Sequence, residues 1–194
     1  MAPETAPPVE TELAAHLARG EVDRAATLAI EGYGPAILGY LCSMLDEDDA
    51  QDAFSLFAEN LWRGLPAFRW ECSARAWAFR LAWFAVARLM RDPYRRNGQR
   101  LPTTAASRLA ASVAASTTLA REARSDRFRK LREALDPEDR TLLVLRLDRE
   151  LPWEEIAQVL STDAAPVTAA ALRKRFERLK ARLAELARAE GLLE

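Results

Sequence analysis

Histidine is almost missing from this chain. His16 is the single example among 194 residues, and only two cysteines, Cys42 and Cys72, are present. A Cys/His metal cluster therefore cannot be assembled, and neither a Ser–His–Asp nor a Cys–His catalytic arrangement is available. The chain shows no signal peptide and no thiol-rich framework of the kind that staples small secreted domains, so a reducing cytoplasm is the expected location. Glycine is scarce at seven residues, and none of it forms a Gly-rich phosphate loop. Long hydrophobic runs are also lacking. The most apolar stretch, 76–90, is interrupted by Arg80 and Arg88 and is too short to span a bilayer. These absences predict a soluble protein that is not an enzyme, holds no cofactor or metal and does not insert into a membrane.

Ala, Leu, Arg and Glu dominate what remains, hydrophobic residues make up 49%, and β-branched residues are few. That bias predicts an all-α fold. The Pro-rich stretch 1–10 is expected to be disordered. Helices are expected over 11–19, 21–31 and 34–45, with Gly20, Gly32, Gly34 and Pro35 as breakers, and then from the acidic run at Asp46 to about Trp62. Another helix is expected over 73–91, ended by Pro93. Segment 94–125 turns small and polar and reads as a linker with some helix. Beyond it, helices are expected over 126–134, 137–148, 152–160 and 166–189, with Pro137 and Pro152 in first turns, where proline is tolerated. The resulting organisation is two small helical domains, 11–93 and 126–194, joined by the linker 94–125.

A net charge of −1 conceals a strong pattern. Residues 1–64 carry 3 basic and 12 acidic side chains, whereas 65–132 carry 15 basic and 4 acidic. Residues 133–166 return to 3 basic and 9 acidic, and 167–194 to 7 basic and 4 acidic. A polyanion contacting both basic blocks, with the acidic blocks facing protein, accounts for this alternation. Chance segregation of charge in a helical protein is the plainer reading.

Two segments carry nucleic-acid chemistry. The first, LPWEEIAQVLSTDAAPVTAAALRKRFERLKARLAEL (151–186), reads as an acidic helix, a turn with Asp163 and Pro166, and a basic helix. Leu172, Phe176, Leu179, Leu183 and Leu186 form its inward stripe, leaving Arg173, Lys174, Arg175, Arg178 and Lys180 outside or on the flanks. In a helix-turn-helix the second helix enters the DNA major groove, and here that helix carries the positive charge. An ordinary solvated helix face is the alternative. The second segment, 62–91, interleaves Trp62, Trp70, Trp77 and Trp83 with Arg63, Arg69, Arg75, Arg80, Arg88 and Arg91. Aromatic faces beside arginines hold unstacked bases along a phosphate track. Alternatively, most of these aromatics simply build a small core. The acidic run DEDDAQD suits the positive end of a helix dipole, or a patch that docks on a basic protein surface.

In this order the segments resemble the extracytoplasmic-function (group IV) sigma factors of bacterial RNA polymerase. LDPEDRTLLVLRLDRELPWEEIAQVL and LRKRFERLKARL are similar to that family's C-terminal helix-turn-helix region, DDAQDAFSLFAENLW to its acidic helix, and FRWECSARAWAFRLAWFAVARLMR to its promoter-melting helix. The resemblance covers nearly all the chain after residue 20. It implies an alternative sigma factor that recruits core RNA polymerase to promoter DNA and is held by an anti-sigma factor. By residue match, Asp49, Asp52 and Glu59 would face core polymerase, and Trp77, Arg80, Trp83, Phe84, Arg88 and Arg91 would meet the −10 strand. Arg173, Lys174, Arg175, Arg178 and Lys180 would read the −35 groove.

The chain departs from the family pattern at Gln51, Ser55, Leu56, Phe84 and Arg88, and its turn at 161–166 is longer than usual. A stand-alone helix-turn-helix regulator is the competing reading. A sigma-like protein that binds polymerase without initiating is another.

Overall fold

The computed structural model describes residues 8–91, 104–116, 134–162 and 165–189. These residues form eight α-helices with no named strand, an all-α architecture. The expected disordered stretch lies largely outside them, but Pro8 already opens the first helix, α1 (Pro8–Ala18). The helix expected over 126–134 falls outside them except at its last residue.

Helix α2 (Val22–Met44) runs unbroken through Gly32, Gly34 and Pro35, where the sequence predicts a break. The glycines serve close approach instead. A Cβ on Gly32 would come 3.0 Å from Val9 of α1, and one on Gly34 would come 3.0 Å from Val113 and 3.2 Å from Phe54. Pro35 forfeits one backbone hydrogen bond inside the helix, at a cost of about 3 kcal/mol in an isolated helix. Ile30, Tyr33, Ile37, Leu38, Tyr40 and Leu41, buried around it, supply the packing that outweighs that loss.

Helix α3 (Glu47–Gly64) starts where Asp46 caps it by accepting from the Asp49 amide at 2.9 Å. Its apolar stripe, Ala50, Ala53, Phe54, Phe57 and Leu61, is buried as the spacing predicts. A 3-10 turn (Leu65–Ala67) and a loop lead to α4 (Ala74–Arg91), whose first turn is capped by Ser73 Oγ accepting from the Ala76 amide at 3.0 Å. Within the linker, α5 (Ala105–Ser116) is held by a reciprocal cap between Thr104 and Ser107. It packs on α2 and α3 through Ala106, Ala110 and Val113.

Helix α6 (Pro137–Leu143) is capped by Asp136 and continues as a π turn (Val144–Asp148), and Glu150, just beyond it, has φ 53°. Helices α7 (Trp153–Leu160) and α8 (Ala169–Ala189) follow. One buried apolar cluster runs from Leu13 to Leu179, so the described parts of the two halves share a core. Tyr40 Oη and Thr141 Oγ1, 3.1 Å apart and buried, join them. No helix among the described residues is long and apolar enough to cross a membrane.

Candidate nucleic-acid interface

Helix α8 is oriented by three buried anchors, Leu172, Phe176 and Leu179, while Leu183 and Leu186 are only half-buried. Its start is capped by Thr168, whose Oγ1 accepts from the Ala171 amide at 3.2 Å. The turn before it is pinned at both ends. Ser161 Oγ accepts from the Val167 amide at 2.9 Å, and Thr162 and Ala165 exchange backbone hydrogen bonds at 3.2 and 3.1 Å. The longer turn is therefore a closed, hydrogen-bonded unit at its described residues, and it fixes where α8 begins relative to α7.

The five basic residues expected on α8 divide by environment. Arg175 is turned into the protein. Its guanidinium is 2.7 Å from Glu138, 3.3 Å from Asp136 and also bonds Asp139, all at the N-terminus of α6. Partial burial opposes its charge, but the Glu138 and Asp139 carboxylates raise the Arg175 pKa above its ordinary value. Arg173 bonds Glu154 at 3.0 Å and lies 6.0 Å from the Trp153 ring centroid. Arg146 sits 4.8 Å from the same ring, and Phe176 meets it edge-on at 5.4 Å. Lys180 pairs with Glu177 at 2.8 Å. Lys174 and Arg178 are exposed and make no ion pair among the described residues. Of these five, they are the cations most available to an external phosphate.

On α4, Arg80, Phe84, Arg88 and Arg91 recur at helical spacing on one stripe. Arg80 lies 5.6 Å over the Phe84 ring, and Phe84 is 40% exposed. Trp77 is placed differently. It stacks on Phe68 at 4.8 Å, and its indole would come 2.9 Å from a Cβ on Gly64. Gly64 thus makes room for Trp77, which acts as a packing residue. Phe68 in turn contacts Trp70 at 4.9 Å, and Trp70 is 40% exposed with φ 58°. A non-glycine residue in that left-handed region is uncommon and is held here by its surroundings.

The loop aromatics Phe68 and Trp70 are missing from the sequence-derived −10 set. Their signal was the FRW run between the two helices, an aromatic–basic–aromatic triplet beside Pro66.

Four of the six candidate residues on α4 and one of the five basic candidates on α8 meet in a single place. Trp83, Phe84, Arg88 and Arg91 line a cleft of about 620 Å³ together with Leu160, Val167, Leu172, Glu138 and Arg175. Comparison with protein families, curated proteins and solved structures finds no match for this chain. The cleft and the two basic faces therefore stand on their own chemistry. Aromatic walls with convergent arginines suit a base stacked beside a phosphate, whereas Glu138 at the opposite wall repels one.

The three α3 carboxylates lie apart from this cleft. Asp49 is 5% exposed and belongs to the packed side of the helix. Asp52 is half-buried, and Glu59 accepts from Arg63 at 3.2 Å.

Proposed function

We propose that the chain is a sigma-like subunit that binds core RNA polymerase and carries two nucleic-acid faces, one for a melted −10 strand and one for duplex −35 DNA. The observation that carries this reading is the pair of unlike faces on one chain. Helix α4 presents an exposed phenyl ring between arginines, which suits unstacked bases. Helix α8, set by the hydrogen-bonded ends of its turn against the short acidic helix α7, presents Lys174 and Arg178, exposed and without an ion pair among the described residues, which suits a duplex backbone. A simple duplex-binding regulator has no use for the first face.

In this reading residues 11–93 and 126–194 act as two functional units, and an anti-sigma protein is the expected regulator. Trp70, on its Phe68 and Trp77 stack, adds a second ring for bases, while Arg175 positions α8 and leaves DNA contact to Lys174, Arg178 and Arg173. Co-elution with purified core polymerase tests the reading. Wild type is expected to co-elute, and Asp52→Arg to lose affinity at least fivefold; a wild-type chain that does not co-elute sinks the proposal. A sigma-like protein that binds polymerase without initiating is the second reading. It is favoured by the burial of Asp49 and by α5 lying against α3, which together shrink the acidic surface on offer.

A further inference from the structure

One wall of the cleft comes from α4 and the other from the C-terminal half, and the two differ in chemistry. On α4, Trp83 and Phe84 supply aromatic surface, and Arg88 and Arg91 follow one to two turns further on. Phe84, backed by Arg80 at 5.6 Å, is 40% exposed. The other wall is aliphatic at Leu160, Val167 and Leu172 and acidic at Glu138. The space between them is about 620 Å³, inside the range of roughly 300–1,000 Å³ that small-ligand sites occupy. Aromatic and aliphatic walls together form a slot for a flat ring. Two guanidiniums and one carboxylate at its edges select a ligand with an anionic end and a donor-bearing edge.

We propose that the cleft is a binding site for a free guanine nucleotide, with the base in the slot, its amino edge on Glu138 and its phosphate on Arg88 and Arg91. The site goes beyond the promoter reading and does not depend on it, although both draw on the same arginines.

The charges set the direction of the ligand. Guanidiniums bind phosphate through paired, charge-assisted hydrogen bonds, so the anion belongs on the α4 side. Arg175 also lines the cleft, but Asp136, Glu138 and Asp139 already share its guanidinium. That wall therefore draws donors rather than anions. Glu138 meets Arg175 through Oε2 at 2.7 Å, which leaves Oε1 to accept from a ligand. An ionised carboxylate only accepts, and this chooses among the bases. Guanine presents its N1–H and its amino group side by side on one edge. Adenine and cytosine put a ring-nitrogen acceptor beside the amino group, and uracil carries no amino group. A nucleic-acid strand would also bring further phosphates past the acidic wall, whereas a single nucleotide brings only its own.

Equilibrium dialysis of the full chain with labelled guanosine 5′-monophosphate (GMP) tests the site. Inosine 5′-monophosphate (IMP), which lacks only the amino group, is the comparator, and a labelled single-stranded 20-mer deoxyoligonucleotide is the parallel arm. GMP is expected to bind, and IMP at least fivefold more weakly. Glu138→Gln is expected to bring GMP down to the level of IMP, and Arg88→Gln with Arg91→Gln to weaken both at least tenfold. Ala87→Trp adds bulk inside the cleft without changing its charge and is expected to abolish GMP binding. Ala165→Trp, on the other wall, replaces it if circular dichroism shows that the first substitution costs helix.

Absence of GMP binding overturns the proposal, and oligonucleotide binding in that case assigns the cleft to a strand. Equal affinity for GMP and IMP overturns it too. So does a filled cleft that keeps its GMP affinity, because surface arginines alone then account for the binding. Failure of the chain to co-elute with polymerase leaves these readouts unaffected and tells only against the sigma reading.

Discussion

The hydroxyl groups of Tyr40 and Thr141 lie 3.1 Å apart in a fully buried site, 101 residues apart in sequence. Thr141 also approaches Met44 Sδ at 3.7 Å, so its hydroxyl bridges two turns of α2. Burial pushes the Tyr40 phenol pKa well above its ordinary value, so the neutral hydroxyl is the form that meets Thr141. Removing either hydroxyl leaves the other short of its best partner. Tyr40→Phe and Thr141→Val are each expected to lower unfolding free energy by about 1–2 kcal/mol, and the double variant by less than their sum. Urea unfolding of the four proteins checks this, and strict additivity would show that the two groups are not coupled.

Arg175 and Arg178 stand three residues apart on α8 and are expected to behave oppositely. Arg175→Ala leaves Asp136, Glu138 and Asp139 facing one another without their shared cation. It should destabilise the chain by about 1–3 kcal/mol. Lys174→Ala and Arg178→Ala should each change stability by no more than about 0.5 kcal/mol, yet weaken duplex DNA binding and lower its log–log salt slope by about one. Thermal melts and salt titrations separate the two classes. Equal DNA defects with no stability loss for Arg175→Ala would move that side chain back to the DNA face.

Trp70 is exposed at a loop tip and rests on Phe68. Trp70→Ala is expected to cost about 1–3 kcal/mol in affinity for a single-stranded oligonucleotide, the range for loss of one base–aromatic stack. Duplex affinity should hardly change. Fluorescence anisotropy with the two DNA forms decides the point, and an equal loss on both would deny the loop a stacking role.

At the α1–α2 corner, Glu21 accepts from Arg19 at 3.0 Å, and His16 Nδ1 lies 2.6 Å from it. The hydrogen bonds of His16 and then Arg19 lower the Glu21 pKa from 4.5 to about 2. A carboxylate depressed on folding stabilises above its unfolded value and loses that contribution as pH falls through its folded one. Glu21→Gln should therefore melt below wild type at pH 6, and the gap should narrow as pH drops from 4.5 towards 2. Because the cluster is solvent-facing, the gap should be small. A gap that widens on acidification would contradict the assignment.

Local signals were the legible part of this chain. The α3 cap at Asp46, the first-turn Pro137 and the α8 stripe through Leu172, Phe176 and Leu179 can all be read from a few neighbouring residues, and each is found. Gly32 and Gly34 misled for the opposite reason. Their partners, Val9 and Val113 with Phe54, come from segments that local reading cannot place. The π turn at Val144–Asp148 has no periodic signature either. In the candidate site, Phe84, Arg88 and Arg91 entered through the family resemblance rather than through spacing, and all three are exposed. The engagement of Arg175 was not legible, because its three carboxylates lie 36–39 residues upstream.

The most direct measurement mixes the purified chain with core RNA polymerase and a library of promoter fragments, and maps transcript 5′ ends. The account predicts polymerase-dependent starts at a defined distance from a shared pair of upstream elements. It predicts that Phe84→Ala with Arg88→Ala removes them, while Lys174→Ala with Arg178→Ala weakens those that depend on the distal element. Tight duplex binding by the chain alone, with no mapped start in the presence of polymerase, would contradict it.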